Sequence, residues 1–170
     1  MGLERVVVID GASKAYAMTG WRIGFALAPR ELAQTMSALQ SHTTSGANTI
    51  AMWAATEAFD NELVQAEVET MTAAFRRRRD YLVGRFRNEL TGTEFVDPLG
   101  AFYLFFRVDS FGTITGTEFC TRLVTENGVA LVPGAAFGDD RWVRLSYAAA
   151  TSDIEKGVDR IVAFAKKLGD

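Results

Sequence analysis

Gly11-Ala12-Ser13-Lys14-Ala15-Tyr16-Ala17-Met18-Thr19-Gly20-Trp21-Arg22-Ile23-Gly24 follows directly on Val6-Val7-Val8-Ile9-Asp10. The apolar, β-branched run predicts a strand buried on both faces, of the kind found in parallel sheets. The small and polar residues after it predict a loop over Gly11–Gly20, and Trp21–Ala28 then reads as a second short strand. In open α/β sheets, ligands collect at the carboxyl ends of the strands, and Lys14 sits just there. Arg22, eight residues on, returns to the same rim. A lysine so placed can form a Schiff base with an aldehyde, and a guanidinium fork can clamp a phosphate. The small neighbours of Lys14 let a flat group come close. The plainer alternative is an ordinary solvated loop, where most lysines are found.

Outward from this stretch, Pro29 opens a helix at its favoured first position, with Leu32, Met36 and Leu39 on the apolar face. Ser41–Gly46 reads as a loop. Asn48 caps the next helix, with Ile50, Trp53 and Ala54 expected inward. A long helix is predicted over Leu63–Leu90, with Met71, Phe75, Leu82 and Phe86 at helical spacing. It is long enough to bridge two structural units. Gly100 then precedes a strand over Ala101–Val108. Thr115-Gly116-Thr117-Glu118 is a capping box, and its helix closes at Asn127-Gly128. Val129–Val132 is a short strand ended by Pro133-Gly134, and Trp142–Tyr147 another. Ser152-Asp153-Ile154-Glu155 is a second capping box. The stripe Ile154, Val158, Ile161, Val162, Ala165 and Leu168 marks the last helix. The order predicts an α/β or α+β two-layer sandwich in the second half.

The chain has 170 residues, 48% hydrophobic and 23% charged, with a formal charge of −3. This is globular composition, and nucleic-acid binders normally carry a basic excess. The longest apolar runs, such as Ala101–Phe106, are too short to span a bilayer. The first residues lack the pattern of a secretory signal, so a cytoplasmic location is expected. The single cysteine, Cys120, excludes an internal disulfide and a metal cluster built on cysteine, and reads as a buried small residue. The single histidine, His42, stands beside small polar residues without a partner in sequence. Arg76–Arg79 covers every side of its helix and reads as a solvated face. A buried strand near residue 6 needs flanking parallel partners that residues 1–60 do not supply, so the chain is expected to be part of a larger protein.

An amine and a guanidinium on one rim point to pyridoxal phosphate. Here the resemblance is specific. Gly11–Gly24 resembles the lysine-attachment motif of class I aminotransferases, and Ser13–Arg22 is especially similar to bacterial aspartate aminotransferase-like enzymes. The likeness runs in order through Thr43-Thr44-Ser45, Arg76–Arg79, Pro98–Tyr103, Val132-Pro133-Gly134 with Phe137, and Val143–Ala148.

The resemblance implies the C-terminal part of the pyridoxal-phosphate-dependent transferase fold. Residues 1–60 would end the cofactor-binding large domain and its sheet, 61–90 would form the long connecting helix, and 91–170 a small αβ sandwich domain. It implies that Lys14 holds the cofactor and shuttles the proton between the substrate α-carbon and C4′ of the cofactor. Ser13 and Arg22 would bind the phosphate, and Arg144 the substrate α-carboxylate, in a cleft between the two units. Gly11 stands where some relatives have a second serine. The partners implied are an amino acid, aspartate-like or aromatic, and a 2-oxo acid, within a homodimer. Another reaction on the same scaffold, such as carbon–sulfur lysis, would use the same residues, and a non-catalytic binding module is a further alternative. The family's pyridinium-pairing acid lies much further ahead of its lysine than the thirteen residues before Lys14 allow. The chain by itself is therefore expected to lack transaminase activity. Without the resemblance, Arg144 reads as an exposed strand arginine and Tyr147 as packing.

Overall fold

Short strands alternate with helices: β1 Val8–Gly11, α1 Ala12–Ala15, β2 Gly24–Leu27, α2 Arg30–Thr43, α3 Thr49–Asp60, α4 Glu62–Glu89, β3 Phe95–Val96, β4 Tyr103–Arg107, α5 Gly116–Asn127, β5 Val132–Pro133, β6 Trp142–Ser146 and α6 Thr151–Gly169. Single 3-10 turns lie at Thr19–Trp21, Asp109–Phe111 and Gly134–Phe137. The computed structural model describes residues 5–169. Packing divides the chain into two units, Met1–Met71 and Thr72–Asp170. The helix α4 contributes to both, so packing draws one boundary inside it where the sequence placed boundaries before and after it.

In the first unit, β1 and β2 form an antiparallel pair, registered from Val8 opposite Leu27 to Gly11 opposite Gly24. This corrects the expectation of a parallel strand covered on both faces. Val6, Val7, Val8 and Ile9 are all exposed, Ile9 by 78%, because no second layer among the described residues lies over them. A compact cluster instead gathers Ala12, Met18 and Ala58, with Tyr16, Ile23, Ala54 and Val64 packed against it. Phe59 takes the edges of Tyr16 and Phe25 at 5.2 and 5.7 Å.

Asn48 caps α3 as expected, accepting hydrogen bonds from the backbone N–H groups of Ile50 and Ala51. Of the expected inward residues of α3, Ala54 packs against this cluster but Ile50 and Trp53 do not. Ala51, Ala55 and Ala58 are buried, while Ile50 and Trp53 are more than 70% exposed. The small face is the one that packs, and helix periodicity turns the large side chains away from it. Similarly, α2 buries none of its residues, and Leu32, Met36 and Leu39 stay exposed. It runs on to Thr43, so His42 lies in its last turn and not in a loop. Pro29 is the N-cap residue of α2, one position before the expected one.

The second unit is a two-layer αβ sandwich, as expected. Its antiparallel sheet has the order β3-β4-β6-β5. Alternation along the central strands turns Leu104, Phe106, Val143 and Leu145 inward. They meet Leu82 and Phe86 of α4, Phe119, Cys120 and Leu123 of α5, and the α6 stripe Ile154, Val158, Ile161, Val162 and Ala165. Phe164 joins this core although the stripe did not include it. Thr115 caps α5 by accepting from the Glu118 N–H, and Gly128 ends it in the left-handed conformation. α6 begins at Thr151, because the Ala150 carbonyl already accepts from Asp153 and Ile154. Ser152 is therefore inside the helix and does not cap it. Arg85 ties α4 to α6 through Asp159 at 2.7 Å, while also pairing with Glu89 and donating to the Tyr81 hydroxyl.

Two predictions follow from this division of the core. Hydrogen exchange should be slow in α5 and α6 and fast throughout α2, which buries no residue. Mass spectrometry of exchanged peptides should show the difference as orders of magnitude in rate, and equal protection would refute the unequal cores. Cys120 is buried, and burial, aided by the charge of Asp140, pushes its thiol up from about 9 to about 11. A thiol raised in this way contributes stability that is fully present below its unfolded value. That contribution is lost as the pH climbs through its folded value. Thermal melts should therefore show stability falling between pH about 9 and about 11, and Cys120→Ala should remove this part of the fall.

Candidate active site

The pairing of β1 with β2 closes at two glycines. A Cβ on Gly11 would stand 3.0 Å from the Ile23 carbonyl oxygen, and one on Gly24 would stand 3.1 Å from that of Asp10. Both approaches are tighter than ordinary packing, so small residues here let the strands meet. The intervening chain leaves the sheet at Ala12 and returns at Ile23. Buried Ala12 and Met18 anchor it, and the Asp10 carboxylate accepts from the Gly11 N–H at 2.7 Å.

Two non-glycine residues in this excursion, Ala17 and Arg22, adopt left-handed backbone conformations with φ of 53° and 51°. Such conformations cost about 1 kcal/mol or more and cluster at ligand-binding turns. The bend at Arg22 brings its guanidinium back over the loop, where it donates to the Thr19 carbonyl at 3.0 Å. The outcome is a cleft of about 500 Å³ lined by Asp10, Gly11, Ser13, Lys14, Ala15, Arg22, Ile23 and Gly24. Ser13 is half-buried, and Lys14 and Arg22 are exposed. An amine, a guanidinium and a hydroxyl thus face one space of the size that holds a small ligand. That donor set fits a group bearing an aldehyde and a phosphate. Asp10 lines the cleft as well, although its sequence position marks it only as the end of a strand. Its place directly before the glycine was the available signal.

Arg144 belongs to the second unit, on the face of the sheet opposite the core. It is half-buried, registered opposite Phe105 on β4 and Val132 on β5. Its Cζ lies 4.3 Å from the ring centre of Tyr103 and 4.7 Å from that of Phe137. Tyr147, one residue past the end of β6, is buried and donates to the Ala101 carbonyl at 3.3 Å, so packing is its role. Of the Arg76–Arg79 run, Arg76 and Arg77 are exposed, Arg78 lies over Phe75, and Arg79 pairs with Asp80. Among the described residues, no group of three or more His, Cys, Asp or Glu could hold a metal ion. No described helix is long and apolar enough to cross a membrane.

A loop that offers an amine and a guanidinium at the end of a strand, followed by a separate αβ sandwich, defines a class of protein that comparison with known families makes plain. The family model for aminotransferase class I and II matches residues 1–161, and the chain belongs to that family. It is 44% identical over 168 residues to a bifunctional aspartate aminotransferase and glutamate/aspartate-prephenate aminotransferase of Petunia hybrida, covering 93% of this chain and 35% of that protein. It is 40% identical to the aspartate aminotransferase of Thermotoga maritima, whose crystal structure it matches with a TM-score of 0.86 over 96% of this chain and 40% of that one. The aromatic aminotransferase of Pyrococcus horikoshii matches at 35% identity with a TM-score of 0.90, over 97% of this chain and 44% of that one. The chain thus spans well under half the length of these relatives. The fold expected from the sequence, a portion of the aminotransferase fold, is the one observed.

Proposed function

We propose that this chain carries the lysine-bearing part of a pyridoxal-phosphate-dependent transaminase, which moves an amino group between an aspartate-like or aromatic amino acid and a 2-oxo acid. The observation that supports it most is the convergence of Ser13, Lys14 and Arg22 on one cleft in a chain of this family. Pyridoxal phosphate, when bound, supplies the electron sink that makes the bonds at the substrate α-carbon labile.

The chain's own residues would do the rest. Lys14 Nζ would hold the cofactor and, as an amine, take the proton from the substrate α-carbon. Arg22 would bind the phosphate through its planar fork, and Ser13 would add a hydroxyl donor. Arg144 would take the substrate α-carboxylate as a bidentate partner. A homodimer is part of this proposal, supported by exposed apolar side chains on α2 and α3 such as Leu39, Ile50 and Trp53, and sedimentation velocity would detect it.

Amino-group exchange tests the reading. Incubation with pyridoxal phosphate, ¹⁵N-aspartate and 2-oxoglutarate should yield ¹⁵N-glutamate, followed by mass spectrometry, when the protein containing this chain is used. Release of ammonia, pyruvate and a thiol from a cysteine-type substrate, without exchange, would favour a lyase. Cofactor capture with neither reaction would favour a binding module.

A further inference from the structure

We propose that Tyr103 and Phe137 are positioning residues that hold the Arg144 guanidinium by its flat face and leave its N–H edge for a substrate carboxylate. The inference rests on the reading of Arg144 as the carboxylate-binding residue.

Three other arginines of this unit, each committed to carboxylates, show the contrast with Arg144. Arg107, also outside the core on the neighbouring strand, spends its fork on Asp109 and Glu94. Arg141 is committed to Asp139, and Arg85 to Glu89 and Asp159. Among the described residues, no carboxylate or carbonyl accepts a hydrogen bond from Arg144. Its partners are rings, 4.3 and 4.7 Å from Cζ. An ion pair would orient a guanidinium but consume the donors that a carboxylate ligand needs. A guanidinium stacked on a ring engages its flat face and keeps its five N–H groups around the rim. The rings are themselves supported. Phe137 stands edge-on to Phe105 at 5.8 Å, and Phe105 stacks on Trp142 at 5.1 Å. The result is an aromatic platform that lowers the freedom Arg144 would otherwise lose on binding a ligand.

This arrangement follows from strand geometry. Alternation puts Tyr103 and Phe105 on the same side of β4, the side opposite buried Leu104 and Phe106. The register sets Phe105 opposite Arg144, so Tyr103 is the diagonal neighbour, within reach of a long side chain. Phe137 arrives from the 3-10 turn between β5 and β6.

The test uses the ¹⁵N-labelled chain, with 2-oxoglutarate as the probe and the Arg144 Nε–Hε signal as the reporter, assigned by its loss in Arg144→Leu. Ring currents should displace that signal, and the probe should shift it further. Tyr103→Leu and Phe137→Leu should each return the signal toward the ordinary arginine position and weaken probe binding about fivefold. Tyr103→Phe, which keeps the ring, should preserve both. Signals of Leu104 and Leu145 report whether each variant remains folded. If Arg144→Leu loses the shifts that the probe causes in backbone amides of β4 and β6 but the two leucine variants keep them as wild type does, the positioning role is overturned while the carboxylate role stands. If the wild-type chain and Arg144→Leu behave alike toward the probe, the carboxylate role itself fails, and the positioning role with it.

Discussion

Lys14→Ala is expected to abolish the selective attachment of pyridoxal phosphate to this chain. The experiment is reduction with borohydride after incubation with the cofactor, then digestion and location of the adduct by mass. Four lysines compete, Lys14, Lys156, Lys166 and Lys167. All are exposed, so accessibility does not separate them. What separates them is company. Lys14 shares its cleft with Arg22 and Ser13, whereas the other three lie along α6, two of them in its last turn. A phosphate held by a guanidinium gains about 1.5–3 kcal/mol from charged hydrogen bonds. That is roughly a tenfold or greater excess of adduct at Lys14. Arg22→Ala should retain the amine and lose most of that excess, which separates phosphate binding from lysine reactivity. Label spread evenly over the four lysines would overturn the assignment of the cofactor site to this cleft.

Phe119→Ala should cost the second unit about 3–5 kcal/mol, lowering its melting temperature by about 15 °C or more. Phe119 is fully buried and forms the centre of an aromatic cluster. It meets Phe164 at 5.2 Å, Phe111 at 5.9 Å and Phe106 at 6.3 Å. Removing the ring opens a cavity bounded by α5, α6 and the sheet together, which none of them can close alone. Circular dichroism during heating, in both the peptide and the aromatic regions, would measure the loss. Trp53→Ala serves as the control. The ring is larger, yet 73% exposed, so its removal should change stability by about 0.5 kcal/mol or less. A large loss there would mean that this face of α3 is covered in solution by a second molecule.

Much of the second unit was legible from local pattern. The alternation of β4 and β6, the stripe of α6 and the Thr115 and Gly128 ends of α5 depend on residues within a few positions of each other. Each carries its own geometric signature. The first unit was legible in its elements but not in its packing. Val6–Ile9 is apolar enough to be covered, but an apolar run does not say what covers it, and among the described residues β1 pairs only with β2. In α3, the sequence ranked Ile50 and Trp53 as core by hydrophobicity, whereas the helix packs through alanines. Size and apolarity predict which residues gain from burial; the distance of closest approach decides which of them fit. The box at Ser152 matched a pattern and lay one residue too late, since the Ala150 carbonyl had already begun the helix.

The candidate site divides along the same line. The sequence alone determined that a lysine, a serine and an arginine stand within one short stretch after a strand, because Ser13 to Arg22 is ten residues counted inclusively; the expected loop is in part the short helix α1, which holds Ser13 and Lys14. Loop length alone keeps them near one another. It also determined the chemistry those groups can perform. Only the tertiary structure decided that Asp10 shares their cleft, that Gly134 must be glycine because a Cβ there would meet the Asp139 and Trp142 carbonyls, and that Arg144 rests on Tyr103 and Phe137. The platform under Arg144 joins residues far apart in the chain through strand register and a 3-10 turn. Register is set by the whole sheet at once, so no stretch of sequence read by itself contains it.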